Sequence, residues 1–361
     1  MPRRSNLIFA IPFLLTVFGL FMIYESSSIT AARLYNDAFY FIKNQTLWLI
    51  LSLVVFVIFY HLDYHLLYGL ALFFLLGNLI LLLLVFIPGL FVTALGAKRW
   101  LKIGFIGLQP SELTKLTLIT YLSAWFSYKE RSRFFAFLIL TGLIIGLVML
   151  QPDLGTAVIL CTVSVFLYFI SGASIRHLLL FVPVAIGGFI LLSILSPYRL
   201  HRLLVFMNPE TDPLGIGYHI RQINIALSLG GFFGTGFGNS RQKFQFLPEA
   251  HTDSIFAIIG ENFGFIGTCI VILAYVTLFV HVYYKLRDVK DRLGFLLASG
   301  IIFLIMFQTF VNLGAMVQVL PLTGVPLPFV SYGGSSLITF YALLGILLNV
   351  LKQNRTSYGR R

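Results

Sequence analysis

Leu66-Leu67-Tyr68-Gly69-Leu70-Ala71-Leu72-Phe73-Phe74-Leu75-Leu76-Gly77-Asn78-Leu79-Ile80-Leu81-Leu82-Leu83-Leu84-Val85-Phe86-Ile87 runs for 22 residues without a charge. A helix of about 20 apolar residues crosses the hydrocarbon core of a bilayer, so this stretch reads as a transmembrane span. Similar runs recur along the chain. With this one they make ten: Leu7–Tyr24, Thr46–Tyr60, Leu66–Ile87, Leu113–Tyr128, Phe134–Leu150, Thr156–Ile170, Leu178–Leu195, Ile255–Tyr284 (with a break near Gly264), Leu293–Val311 and Leu337–Leu351. Runs shorter than about 20 residues borrow neighbouring loop residues to cross. Hydrophobic residues are 58% of the chain and charged residues 11%, and the mean hydropathy is +0.94, which excludes a soluble globular domain. The expected fold is an all-α polytopic membrane protein of about ten helices, one domain over residues 1–361. Met1-Pro2-Arg3-Arg4 before an apolar run resembles a signal sequence but lacks a small-residue cleavage site, so it reads as an uncleaved first span. Cys161 and Cys269 both lie in apolar runs and read as buried thiols.

The net charge of +12 first suggests nucleic acid. Its distribution excludes that reading. With a cytoplasmic N-terminus, the inside segments are the N-terminus, His61–His65, Lys129–Arg133, Ser171–His177, Lys285–Arg292 and the tail 352–361, and together they carry +10. The opposite segment Ser196–Glu261 balances five basic against five acidic residues. This is the positive-inside pattern of a membrane protein with both termini cytoplasmic. The long polar segments then lie outside, including the loop of about 196–253 between spans seven and eight. Any chemistry they perform is done where there is no ATP.

Among these segments, Leu247-Pro248-Glu249-Ala250-His251-Thr252-Asp253-Ser254 places two carboxylates and an imidazole at the mouth of the eighth span. Asp253 suits a general base, but Thr252, Asp253 and Ser254 are all good helix caps, and the residues alone leave both readings open. Gln109-Pro110-Ser111-Glu112-Leu113-Thr114-Lys115 opens the fourth span, with Ser111 as the expected cap. Glu112 and Lys115 share a helix face, either as a capping ion pair or facing a polar cavity. Asp153, in Gln151-Pro152-Asp153-Leu154-Gly155, is expected to cap the sixth span. Lys98-Arg99-Trp100-Leu101-Lys102 suits anchoring at a membrane interface. Apolar residues at Ile220, Ile223 and Leu227 suggest a short amphipathic helix on the membrane surface over Tyr218–Leu229. Gly230–Gly238 carries five glycines but has no βαβ context for a dinucleotide loop; it suits a tight turn or close backbone approach. Arg241 and Lys243 follow it and could meet a phosphate. Pro321, Pro326 and Pro328 precede Ser331-Tyr332-Gly333-Gly334-Ser335-Ser336, non-helical backbone that must be buried in protein or line an aqueous cavity.

Four of these stretches, residues 109–115, 151–156, 247–257 and 320–336, resemble the motifs of the SEDS family, in the family's order and over nearly the whole chain. Residues 238–243 and Glu25–Ser28 resemble the FtsW/SpoVE branch more than RodA. Two positions depart from the pattern: Ser254 stands where Phe is usual, and Asn262 where a second acid often follows Glu261. The resemblance implies a peptidoglycan glycosyltransferase of the bacterial plasma membrane, with an extracytoplasmic active site. It would polymerise lipid II in cell division beside a class B penicillin-binding transpeptidase and other divisome or elongasome proteins.

The resemblance further implies Asp253 as the catalytic carboxylate. The substrate-facing set expected from sequence is Lys115, Glu112, Arg241, Lys243, Arg99, Arg202, His251, Glu249, Ser331 and Ser335. Lys115, Arg241 and Lys243, joined by Arg99 or Arg202, would neutralise the leaving pyrophosphate, and Glu249 and His251 would orient the loop. A divalent cation, Mg or Mn, between Asp253 and the diphosphate is compatible with this chemistry, although no compact ligand cluster demands one. A lipid II flippase and a non-enzymatic scaffold for the transpeptidase are the rival readings. A flippase would survive loss of Asp253, and a scaffold would leave lipid II unchanged.

Overall fold

Hydrophobic runs become helices wherever the backbone can satisfy its own hydrogen bonds inside hydrocarbon. The structure, a computed structural model, describes residues 3–94, 97–103, 106–128, 133–177, 179–181, 183, 187–188, 197–240 and 246–356. In chain order the helices are α1 (Arg3–Tyr35), α2 (Tyr40–His61), α3 (Leu66–Leu84), α4 (Pro110–Ser127), α5 (Phe134–Leu150), α6 (Leu154–Ile170), α7 (Pro197–Met207), α8 (Ile216–Gly230), α9 (Ile255–Leu286), α10 (Arg292–Met316) and α11 (Gly334–Thr356). Among the described residues, six helices are long and apolar enough to cross a membrane: α1, α2, α3, α9, α10 and α11. The shorter α5 and α6 are also apolar. The expected seventh span, Leu178–Leu195, lies largely outside the described residues.

The layers follow from burial. The most apolar windows of α11 and α10 are 89% and 72% buried, whereas those of α1, α2, α3 and α9 are 22–39% buried. The bundle is therefore built around α11 and α10, and α2, α3 and α9 present rows such as Val54, Phe73 and Ile270 outward. An apolar belt of this extent is the surface a bilayer covers. α4 is the exception. Ser111, Glu112, Thr114, Lys115, Thr117, Thr120 and Ser123 are all buried on it. Two of its hydroxyls turn back to their own helix, Thr114 donating to the Pro110 carbonyl at 3.0 Å and Thr120 to that of Leu116 at 2.8 Å. α4 is thus a polar helix enclosed by apolar ones.

Three expectations are corrected. The chain is not all-α: β1 (Phe91–Ala94), β2 (Ala97–Ile103) and β3 (Ile106–Leu108) form an antiparallel sheet in the order β1-β2-β3. Phe91 pairs with Leu101 and Leu101 with Leu108, and a bulge falls between Val92 and Thr93. Lys98–Lys102 is therefore part of the central strand, and Val92, Thr93, Ile103 and Ile106 around it favour extended backbone. Second, α1 does not end at Tyr24 but continues to Tyr35. Ser26 and Ser27 return their hydroxyls to the Ile23 carbonyl, and Glu25 accepts the Gly238 amide at 3.1 Å, so these polar residues are satisfied without leaving the helix. Third, α8 forms where expected, but Ile220, Ile223 and Ala226 are buried against the protein.

The break expected near Gly264 is present: Gly264 has φ 62° and ψ −160° inside α9. In an unbroken helix the amides of Phe265 and Ile266 would bond the carbonyls of Glu261 and Asn262. Here those amides donate to Gly231 and Phe232 at 2.9 and 3.3 Å, while the Glu261 and Asn262 carbonyls accept from Thr235 and Gly236 at 2.9 and 3.0 Å. The glycine-rich segment is stitched into the gap in the helix. The approach requires glycine at Gly234, where a Cβ would sit 2.1 Å from the Asn262 oxygen.

Candidate active site

At one end of the bundle a cavity of about 420 Å³ opens between the sheet, α7, α8, the start of α9 and the proline-rich segment before α11. Its lining includes Arg99 and Trp100 from β2, Gln109 and Glu112 at the start of α4, Arg202, His219, Glu249, Thr252, Asp253, Gly324, Tyr332 and Ser336.

Asp253 stands two residues before α9, and its carboxylate is not spent as a cap. The N-cap position belongs to Ser254, which makes no side-chain cap bond; its hydroxyl instead meets His219 Nε2 at 2.7 Å. The loop is held from two sides. Asn312 Nδ2, on α10, donates to the Asp253 carbonyl and to the Val325 carbonyl, each at 2.8 Å, tying the acid's backbone to the proline-rich segment. Glu249 takes the left-handed conformation at φ 49°, and its carbonyl accepts the amides of Thr252 and Ser254 at 3.1 and 3.2 Å. The Thr252 hydroxyl sits between the two acids, 2.7 Å from Glu249 Oε2 and 3.3 Å from Asp253 Oδ1.

This setting tunes the titratable groups. Burial, and after it the Glu249 charge, push the Asp253 carboxyl up to about 7, against the opposing pull of Thr252 and Arg202. Burial and the Arg202 charge push the His219 imidazole down to about 4, against the pull of Glu249, so it is neutral at pH 7. Burial lowers His251 as well. A carboxyl balanced near neutrality can take up a proton and release it again at the working pH.

On the facing wall, Glu112 lines the cavity and Lys115 lies beneath it. Lys115 Nζ donates to Glu112 Oε1 at 2.6 Å and to Gln308 Oε1 at 2.8 Å, and the lysine is 1% exposed. Among the described residues Glu112 Oε2 is buried without a hydrogen-bond partner. Gln308 Nε2 donates to the Pro326 carbonyl at 2.9 Å, so the ion pair also braces the proline-rich segment. Among the described residues, the cations that reach the cavity are Arg99 and Arg202. Arg99 Nε donates to the Gln151 carbonyl at 3.0 Å and its Nη2 to that of Pro152; Arg202 Nη1 donates to the Leu322 carbonyl at 3.2 Å.

The structure thus brings Asp253, Glu249, Glu112, Arg99 and Arg202 to one cavity and sets Lys115 behind it. Arg241 and Lys243 lie outside the described residues. Ser331 and Ser335 do not line the cavity: Ser331 Oγ accepts the Leu327 amide at 2.8 Å and Ser335 Oγ that of Gln109 at 3.0 Å. His251 packs its ring 4.4 Å from Phe41 and 5.4 Å from Tyr332, as a brace for the loop. Ser111 is not the cap of α4. Gln109 holds that position with Pro110 next, and the Ser111 hydroxyl bonds Asp153 Oδ2 at 3.2 Å. Asp153 does cap α6, accepting the Thr156 amide at 3.2 Å. Among the described residues no three His, Cys, Asp or Glu side chains gather as metal ligands.

Sequence reasoning missed Gln308, Asn312 and His219. The signal for the first two was an amide side chain on an otherwise apolar span, a costly placement that needs a partner. His219 had no comparable mark, because its position on an amphipathic helix is equally that of a solvated residue.

Comparison with known proteins places this geometry. Residues 5–356 match the model of the FtsW/RodA/SpoVE family, described as cell cycle proteins. A probable peptidoglycan glycosyltransferase FtsW of Geobacter sp. (strain M18) is 37% identical over 350 residues, 95% of each chain. Stage V sporulation protein E of Bacillus subtilis (strain 168) is 36% identical over 355 residues, 97% of each chain. Among solved structures, a chain of a peptidoglycan synthase complex, described as coordinating polymerization and crosslinking, is 30% identical with a TM-score of 0.78 and 98% of each chain covered. The rod shape determining protein RodA of Thermus thermophilus is 26% identical with a TM-score of 0.71, covering 97% of this chain and 96% of that one. With a match from end to end and a fold to accord with it, the chain belongs to the FtsW/RodA/SpoVE family.

Proposed function

We propose that this protein is a peptidoglycan glycosyltransferase that polymerises lipid II, with Asp253 as the general base. The observation that carries the reading is a carboxylate at a helix mouth that does not cap the helix and faces a cavity holding Arg99 and Arg202. Asp253 takes the proton from the 4-hydroxyl of the acceptor sugar. The oxygen then attacks the anomeric carbon of the donor, the glycosidic bond forms, and the bond to undecaprenyl diphosphate breaks. Arg99 and Arg202 neutralise the charge that collects on the diphosphate. The unpartnered Glu112 Oε2 is placed to accept a sugar hydroxyl. Lys115 acts through Glu112, holding its carboxylate in place. In this reading the chain crosses the plasma membrane ten times with both termini inside, the cavity faces outward, and a class B penicillin-binding transpeptidase uses the strand it makes.

The test is purified Asp253→Asn protein supplied with lipid II. Loss of glycan polymer, with the melting temperature and lipid II binding retained, is expected. Polymer at the wild-type rate would remove Asp253 from the reaction.

A further inference from the structure

His219 stands on α8 and lines the cavity that holds Asp253, yet no step of the glycosyl transfer uses it. Its ring is engaged on one side. Nε2 lies 2.7 Å from the hydroxyl of Ser254, the residue after the acid. Ser254 is 0% exposed, does not line the cavity and makes no cap bond to α9. Among the described residues its hydroxyl meets no second partner. A buried hydroxyl hydrogen without an acceptor is costly, so the Ser254 hydroxyl donates and Nε2 accepts. Burial keeps the imidazole neutral at pH 7, and a neutral ring carries one proton. With Nε2 as the acceptor, that proton is on Nδ1. In a five-membered ring the edge opposite Nε2 is the Cγ–Nδ1 bond, so this N–H is turned away from Ser254. Among the described residues it meets no acceptor.

We propose that His219 is a substrate-binding residue, its Nδ1–H donating to the acetamido carbonyl of the N-acetylated sugar whose 4-hydroxyl faces Asp253. The assignment rests on the glycosyltransferase reading for the identity of that sugar. Asp253 and Ser254 are consecutive, with Cα atoms about 3.8 Å apart. Asp253 and His219 line one cavity, which puts both within reach of one sugar. The surroundings select a neutral acceptor over a phosphate. Glu249 lines the same cavity, and its charge acts on the His219 ring more strongly than that of Arg202 does. A diphosphate against this wall would meet the carboxylate as a like charge, whereas an amide carbonyl would not. A carbonyl also has no hydrogen of its own, so it matches a donor whose tautomer Ser254 has already fixed. The acetamido carbonyl is the strong neutral acceptor on such a sugar, the remaining ring substituents being hydroxyls and ethers.

The experiment compares lipid II with an analogue whose terminal sugar, the one bearing the 4-hydroxyl, is 2-deoxy and lacks the acetamido group. Polymerisation by the purified full-length protein is followed as kcat/KM for each. The wild type should prefer lipid II by at least about tenfold, the effect of a hydrogen bond lost at a partly buried site. His219→Gln keeps a polar group near Nε2 for Ser254 but none at Nδ1, and the preference should fall below about threefold. His219→Asn keeps a donor near Nδ1 and should retain most of the preference. A residue that only packs would lower both rates and leave their ratio unchanged. Equal use of the two lipids by the wild type, an undiminished preference in His219→Gln, or loss of it in His219→Asn overturns the proposal. A wild type that makes no polymer removes the glycosyltransferase reading instead. Binding isotherms of the same two lipids then decide on His219 by the same ratios.

Discussion

Replacing Glu249 by Gln removes one negative charge beside Asp253 while keeping an oxygen for the Thr252 hydroxyl. That hydroxyl lies 2.7 Å from a Glu249 oxygen and 3.3 Å from an Asp253 oxygen, so the two carboxylates approach to within about 6 Å. At that separation Coulomb's law gives ~3 kcal/mol for an effective dielectric of about 20 and ~1.4 kcal/mol for about 40. Those energies correspond to roughly one to two pKa units. Burial is the larger cause of the rise of Asp253 from the ordinary 3.8 to about 7, which favours the lower figure. The sign is fixed: without the like charge the ionised form is easier to make, so the Asp253 pKa falls. The assay is the initial rate of polymer formation from lipid II against pH. The wild type should lose activity as pH falls through about 7. In Glu249→Gln the acid limb should move to about 6, with the alkaline plateau unchanged. At pH 6 the variant should then be about fivefold faster than the wild type, since about half of its Asp253 is ionised against about a tenth. An acid limb that stays in place, or moves upward, refutes the electrostatic coupling of the two acids.

Three further outcomes follow from the packing. Lys115→Met leaves the buried Glu112 uncompensated and should cost ~3–5 kcal/mol, seen as a drop in melting temperature, and Lys115→Met/Glu112→Gln should recover most of it. Asn312→Ala removes both bonds that tie the Asp253 backbone to the Val325 carbonyl. It should slow polymerisation about tenfold or more with lipid II binding retained, as single-turnover rates and binding isotherms would show. Gly264→Ala puts a Cβ 2.4 Å from the Gly234 nitrogen at a positive φ, and the yield of folded, monodisperse protein in detergent should fall several-fold.

The sequence disclosed most where one physical signal dominated. Uncharged runs gave the six long apolar helices, and the amphipathic pattern gave α8 to within two residues at its start. A glycine in the middle of a long apolar run marked the break in α9. Reading failed where two signals competed. Lys98–Lys102 was weighed by its charges, although Val92, Thr93, Ile103 and Ile106 around it favour strand, and the hairpin geometry depends on pairings distant from those charges. Glu25–Ser28 looked like the end of a span because its partners, the Ile23 carbonyl and the Gly238 amide, are not local polarity but tertiary contacts. The ranking of cations was also inverted by packing. Lys115 carries the conspicuous intramembrane charge, yet it is buried behind Glu112, and Arg99 and Arg202, ordinary residues by sequence, reach the cavity. Burial depth of a side chain on a helix enclosed by others is not written in that helix's own residues.

The gap in α9 has a mechanical meaning. Four backbone bonds join its two halves to the segment after α8, crossed so that each side supplies what the other lacks. In hydrocarbon such bonds have no water to replace them, and breaking them one by one would strand polar groups at several kcal/mol each. The glycine run is therefore no free flap over the cavity. It fuses α8 to the first half of α9, the part that begins just after Asp253, into one stiff piece. If the site flexes to admit a substrate, the bending must fall elsewhere: in the Asn208–Gly215 turn before α8, or in the proline-rich segment opposite, which the Asn312 amide ties to the acid.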